Sequence, residues 1–323
     1  KYTDKIGKVY AGKNGILGAL NEELIDTSTI PAADLQRLMS QPASAFGSCR
    51  YKLKSMEESE ADYRRLIEVF KAHNIGYFFY NGGGDSQDTA YKISQIGDSL
   101  GYPMTCIGIP KTIDNDLAFT DHCPGFGSVA KYIAISILEA SFDLASMAAS
   151  STKVFILEVM GRHTGWIAAA GGLAQNANNP APHVILFPEI AFEQEKFLAK
   201  VKQATEEHGF CSIVVSEGIK DVSGKFLTEH GSLDAFGHHQ LGGVAPRIEN
   251  IIRENLNLKC HWAVSDYLQR SARHIASKID LEQAYALGTA AIDTAVSAVN
   301  NVMMTIERCD TPHYSWQIGT AQW

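Results

Sequence analysis

The 323 residues are too many for one small hydrophobic core and predict about two domains. Hydrophobic residues at 45% and charged residues at 20% exclude disordered, fibrous and collagen-like classes. A net charge of −8 argues against general nucleic-acid binding, and the most apolar stretch, 132–147, is too broken by Glu139 and Asp143 to span a membrane.

The opening Lys-Tyr-Thr-Asp-Lys-Ile-Gly has no apolar run of a signal peptide, and six scattered cysteines form no CxxC pair. Reduced thiols and a cytoplasmic setting are expected. Next, Ser55 with Glu58 forms a capping-box pattern, and Tyr63, Leu66, Ile67 and Phe70 then repeat on one helical face. A buried strand is predicted over 76–80, ending at a glycine turn before another helix. Further strands are predicted over 104–109, 154–160, 183–187, 211–216, 261–264 and 302–306, with helices over 128–150, 192–208 and 271–300. This alternation predicts an α/β protein of doubly wound, mostly parallel sheets flanked by helices.

Ligands in such sheets gather where strands end and helices begin, because free N–H groups and the helix dipole favour anions there. The first such junction is Gly82-Gly83-Gly84-Asp85-Ser86. Its glycines let a phosphate approach the backbone, and Asp85 suits a Mg²⁺ carried on that phosphate, unless it is only a helix cap. The second is Pro110-Lys111-Thr112-Ile113-Asp114-Asn115-Asp116. It supplies a base, a metal ligand and a cation together, or alternatively only a polar loop. The third is Met160-Gly161-Arg162-His163-Thr164-Gly165, where an arginine can fork onto a phosphate or sugar oxygen. Ser216-Glu217-Gly218 and Tyr267-Leu-Gln-Arg270 end later strands, although a lone Glu or Arg there is more often merely solvated.

Two other signals lack their context. Gly125-Phe-Gly127-Ser-Val-Ala130 has dinucleotide-fingerprint spacing but follows Asp121-His-Cys-Pro124 rather than a strand, so it is expected to open a helix. His238-His239 suggests a metal tract, yet adjacent side chains share an ion only through special backbone turns, and no site is expected. No Walker A, Gly-x-Ser-x-Gly or His-Glu-x-x-His occurs.

Taken in order, Pro110-Lys-Thr-Ile-Asp-Asn-Asp116, Met160-Gly-Arg162, Ser216-Glu-Gly218 and Tyr267-x-x-Arg270 closely resemble the phosphofructokinases, in particular their pyrophosphate-dependent branch. The resemblance runs over about residues 9–309. It implies transfer of a phosphoryl group from pyrophosphate to the 1-hydroxyl of fructose 6-phosphate, reversibly and with Mg²⁺. By resemblance Asp114 takes the hydroxyl proton, Lys111 and Arg50 neutralise the moving group, and Gly83, Gly84, Asp85 and Ser86 form the pyrophosphate and Mg²⁺ loop. Thr112, Asp116, Met160, Gly161, Arg162 and Glu217 look like substrate-binding residues, with Tyr267 and Arg270 at the 6-phosphate and Asp85 and Asp116 as metal ligands. Such a set suits phosphoryl transfer, which needs positioning and charge neutralisation more than covalent chemistry.

The donor preference rests on two positions. ATP-dependent relatives typically carry glycine where Asp85 and Lys111 stand; the aspartate repels the α-phosphate of ATP, while the lysine adds a cation for a bare diphosphate. Gly84 departs from the usual pyrophosphate loop, where an aspartate stands. Lys153, Lys259 and His261 match only approximately the basic residues expected from a neighbouring subunit. The family's opening strand and glycine-rich phosphate loop are not found before Lys1, so a natural N-terminal segment, and more chain after Trp323, is expected. Residues 1–127 with about 268–301 are expected to form the donor domain, 128–267 the sugar-phosphate domain, and 302–323 a terminal strand and tail. A homodimer or homotetramer is expected, with no nucleic-acid or membrane partner. An ATP-dependent enzyme and a non-catalytic sugar-phosphate-binding regulatory subunit stay open at this point, and a nicotinamide dehydrogenase is disfavoured.

Overall fold

The computed structural model describes residues 2–228, 230–233 and 239–323, with 230–233 and 239–240 described by backbone alone. His238 therefore lies outside the described residues. The chain divides into two compact units, one of Lys1–Thr112, Leu117–Pro124 and Lys278–Trp323, the other of Ile113–Asp116 and Gly125–Ser277. The chain therefore crosses between units inside the Lys111 to Asp116 motif. No described helix is long and apolar enough to cross a membrane.

The first unit is organised by a four-stranded sheet in the order Trp316–Gln322, Val302–Arg308, Thr105–Pro110, Tyr77–Gly82. Only the first pair is antiparallel. Strand side chains alternate between faces. Phe78, Tyr80 and Cys106 meet the buried faces of helices Met56–Ala72 and Gly84–Ser99, while Phe79, Ile107 and Ile109 meet Leu287, Ala291 and Ala295 of helix Lys278–Val296. Both faces are covered, as parallel strands require. Tyr63, Leu66, Ile67 and Phe70 are buried on helix Met56–Ala72, as their spacing predicts. The capping box does not close: Ser55 is the cap residue but makes no side-chain cap bond, and its hydroxyl points instead toward Glu58 at 3.5 Å.

The second unit holds an all-parallel sheet in the order Cys260–Val264, Val154–Val159, Cys211–Ser216, Val184–Leu186. All six residues of Cys211–Ser216 are buried. Ile156, Ile213 and Val215 face helices Gln194–His208 and Val244–Leu256, and Leu157, Val159 and Val214 face helix Phe126–Met147 and the short helix Trp166–Ala170. Each fully buried aliphatic side chain here contributes about 1.5–3 kcal/mol. Gly125 does precede a helix, which starts at Phe126 rather than at 128. The helix predicted over 271–300 is broken: a short turn Leu268–Ser271 ends in the second unit and the main helix, Lys278–Val296, belongs to the first.

Candidate active site

In the first unit, strands Tyr77–Gly82 and Thr105–Pro110 finish side by side, with Gly82 opposite Pro110. The motifs that follow them therefore meet. Lys111 donates its backbone N–H to the Gly82 carbonyl at 3.1 Å, and Thr112 packs beside Gly83. Gly84 and Asp85 open helix Gly84–Ser99, whose N-terminal dipole favours an anion. The Asp85 carboxylate is paired with Lys52 at 2.8 Å, and that hydrogen bond, with the carboxylate's charge, holds the ammonium's pKa above its ordinary value. Both side chains are 43% exposed, so the pair adds little to stability and its charges stay available to a ligand. Arg50 is exposed two residues before Lys52, and Lys111 is exposed as well.

In the second unit the ends of strands Val154–Val159 and Cys211–Ser216 carry Met160-Gly161-Arg162 and Glu217. Glu217 N–H donates to the Val159 carbonyl at 2.9 Å, and the Ser216 hydroxyl donates to the Gly161 carbonyl. Gly161 sits at φ 131°, with the Thr164 carbonyl close to where a side chain would project, so no other residue fits this turn without strain. Thr164 in turn donates to the Asp114 carbonyl at 3.0 Å. Burial pushes the Glu217 carboxyl up to about 7; the charges of Asp114 and Glu158 act in the same sense, against the Gly161 N–H and Arg162. Asp114, Arg162 and Glu217 thus share one electrostatic environment.

A cavity of about 170 Å³ lies in the same unit and takes in Met160 and Glu217, with Glu158 and Gly242 on its wall. Arg162, Tyr267 and Arg270 are not among its lining residues. Tyr267 and Arg270 are exposed, with the guanidinium stacked 4.3 Å from the ring centroid. Gln269, between them in sequence, is buried and accepts the Met160 N–H at 3.2 Å, tying this turn to the strand end. Lys153 and Lys259 precede strands Val154–Val159 and Cys260–Val264, at the opposite end of the sheet from Met160 and Glu217. His261 is the second residue of the latter strand.

Lys52 and Glu158 lie outside the sequence motifs. Lys52 lies in an irregular stretch where nothing marks its long-range partner. Glu158 did carry a signal, being a carboxylate inside the apolar run Val154–Val159. It is 1% exposed and accepts the N–H groups of Gly243 at 3.1 Å and Ala245 at 2.8 Å, supplying the cap that helix Val244–Leu256 lacks from its own sequence. Among the described residues no group of three or more His, Cys, Asp or Glu is placed to hold a metal. Asp85 is half-exposed in the first turn of helix Gly84–Ser99, where a carboxylate can share an ion carried on a phosphate rather than close a cage of its own.

Two mostly parallel sheets with phosphate-type turns and clustered acids and bases at their strand ends define a nucleotide- or phosphate-handling α/β enzyme. The family model described as Phosphofructokinase matches residues 2–295, and the chain belongs to the phosphofructokinase family. It is 59% identical over 321 residues to the pyrophosphate--fructose 6-phosphate 1-phosphotransferase of Methylococcus capsulatus, covering 99% of this chain and 76% of that protein. The protein of the same name from Halomonas elongata is 56% identical over 321 residues, again 99% of this chain and 77% of the other. The crystal structure of the pyrophosphate-dependent phosphofructokinase from Marinobacter aquaeolei superposes with a TM-score of 0.88 at 58% identity, covering 99% of this chain and 75% of that one.

Proposed function

We infer that the protein moves a phosphoryl group from pyrophosphate to the 1-hydroxyl of fructose 6-phosphate, giving fructose 1,6-bisphosphate and phosphate. The observation that carries this reading is the joining of the Gly82-Gly83-Gly84-Asp85 turn to the Lys111-Thr112 turn in a chain 59% identical to a protein named for that reaction. We assign the donor to the first unit, at Gly83, Gly84, Asp85 and Ser86, and the sugar to the second, at Met160, Gly161, Arg162 and Glu217, with Tyr267 and Arg270 at the 6-phosphate.

Asp114 takes the proton from the sugar's 1-hydroxyl as its oxygen attacks the terminal phosphorus; one P–O bond of the diphosphate breaks and inorganic phosphate leaves. Lys111 and Arg50 neutralise charge on the moving group and the leaving phosphate. Thr112 fixes the Lys111 turn against Gly83. Bound Mg²⁺, held by Asp85 and Asp116 through the diphosphate, would supply charge neutralisation of the phosphate oxygens. Asp85 excludes ATP by presenting a carboxylate to its α-phosphate. Because the leaving group is phosphate rather than ADP, the reaction is expected to run readily in both directions. A cytoplasmic location is proposed on six cysteines that form no disulfide, and a homodimer or homotetramer on the exposed Trp262 and Val264 of the edge strand of the second sheet.

The test is turnover with Mg²⁺ and each donor, in both directions, for the parent, Lys111→Gly, and Lys111→Gly combined with Asp85→Gly. The parent is expected to use pyrophosphate, the single variant to lose most of that activity, and the double variant to admit some ATP. ATP turnover by the parent with pyrophosphate inert would overturn the donor assignment. Binding of fructose 6-phosphate without turnover on either donor would make it a regulatory subunit.

A further inference from the structure

The ladder between strands Tyr77–Gly82 and Thr105–Pro110 runs in register to its last pair, Gly82 opposite Pro110, and the Lys111 N–H still donates to the Gly82 carbonyl at 3.1 Å. Beyond Gly82 the chain turns into helix Gly84–Ser99, so backbone pairing of the two segments ends there. A carbonyl oxygen has two lone pairs and can accept a second donor. Gln87, 7% exposed in the first turn of that helix, supplies one. Its Nε2 donates to the Gly82 carbonyl at 2.9 Å and to the Ile109 carbonyl at 3.2 Å.

One amide nitrogen therefore joins two strand ends. Gly82 leads directly into Gly83-Gly84-Asp85, and Ile109 into Pro110-Lys111-Thr112. The space for this amide exists because Gly108 lacks a side chain; a Cβ there would collide with Gln87 Oε1. That oxygen is buried without a hydrogen-bond partner, so the orientation of the amide is set by the two bonds from its nitrogen.

We propose that Gln87 is a positioning residue of the donor site, fixing the separation of the Gly83-Gly84-Asp85 turn from the Lys111 turn. The proposal rests on the reading of those turns as the pyrophosphate site. Gln87 touches no reacting atom; it acts through the two backbone segments it ties. Small displacements of such segments are costly to transfer, since phosphoryl transfer depends on alignment.

The experiment compares the parent with Gln87→Met, which keeps length but cannot donate, and Gln87→Glu, which keeps shape and donates only when its carboxyl is protonated. Steady-state constants for pyrophosphate and fructose 6-phosphate are measured from pH 6 to 8, alongside thermal shifts on adding magnesium pyrophosphate or fructose 6-phosphate alone. Gln87→Met is expected to raise the pyrophosphate KM roughly tenfold, with the fructose 6-phosphate KM within about twofold. Gln87→Glu should share that defect at pH 8 and recover part of it at pH 6, relative to the parent's own profile. Equal changes in both constants, or an unchanged pyrophosphate constant in both variants, would overturn the proposal while a pyrophosphate-active parent left the functional reading standing. A parent that neither uses nor is stabilised by magnesium pyrophosphate would bring down the functional reading and this proposal with it.

Discussion

Replacing Glu217 by Gln is expected to make the protein more stable at alkaline pH and worse at holding its sugar. Burial holds the Glu217 carboxyl up to about 7, against about 4.3 in an unfolded chain. The folded value is raised, so its favourable contribution is complete below about pH 4.3 and is lost as pH rises through about 7. By linkage this one group destabilises the folded state by about 1 kcal/mol at pH 5 and about 3 to 4 kcal/mol at pH 8. A glutamine keeps the shape and can still accept the Gly161 N–H, but it carries no charge to desolvate. Thermal melts of the ligand-free parent and variant should therefore diverge with pH, by roughly 2 to 4 °C per kcal/mol. The fructose 6-phosphate KM supplies the second readout. A carboxyl with a midpoint near 7 is about one-tenth ionised at pH 6 and nine-tenths at pH 8, so if the sugar's hydroxyls need the ionised form, KM rises about tenfold on acidification. The 6-phosphate itself titrates near pH 6, and the Gln variant isolates that part. A stability difference that does not change between pH 5 and pH 8 would refute the reasoning.

Asp114→Asn should lower kcat by about two to four decades, since the amide cannot take the hydroxyl proton, while the fructose 6-phosphate dissociation constant stays within a few-fold; turnover near the parental rate would remove Asp114 from the role of base. Arg270→Ala should raise the fructose 6-phosphate KM at least tenfold and leave the pyrophosphate KM within about twofold, because a charge-assisted phosphate contact is lost at the end remote from transfer. Equal effects on both substrates would point to general damage instead.

The buried strands and the main helix faces were legible because periodicity reports which side of an element faces a core. Tyr63, Leu66, Ile67 and Phe70 show this for a helix, and the wholly buried Cys211–Ser216 for a parallel strand. The motif-bearing strand ends were legible for a related reason, since a buried strand that stops leaves a polar turn exposed. Partners were not. The spacing of 261–264 predicts one more strand of the series, yet Cys260–Val264 is an edge strand with Trp262 and Val264 exposed, because its pairing with Val154–Val159 on one side alone is set by the fold and not by local spacing. The break before Lys278 was hidden because 271–300 contains no proline or glycine until Gly288. Strand Trp316–Gln322 escaped notice because only its antiparallel register with Val302–Arg308 gives its alternation a face to serve. Lys52, Gln87 and Glu158 share one obstacle: each acts through partners that the fold, not the local spacing, brings near.

The division of the chain between its two units has a consequence for how the molecule is made. Nearly all of the second unit is one uninterrupted run, Gly125–Ser277, so its parallel sheet has every strand available once that run has been synthesised. The first unit has no such independence. Val302–Arg308 pairs with Thr105–Pro110 and also carries Trp316–Gln322, so two of its four strands are made only after residue 301. Until then Tyr77–Gly82 and Thr105–Pro110 form at most a two-stranded ribbon open at both edges, and the face of Phe79, Ile107 and Ile109 waits for helix Lys278–Val296. The segment bearing the Gly83-Gly84-Asp85 and Lys111 turns is thus translated early and completed late, with an apolar strand face left open beside those turns until the last helix and strands arrive.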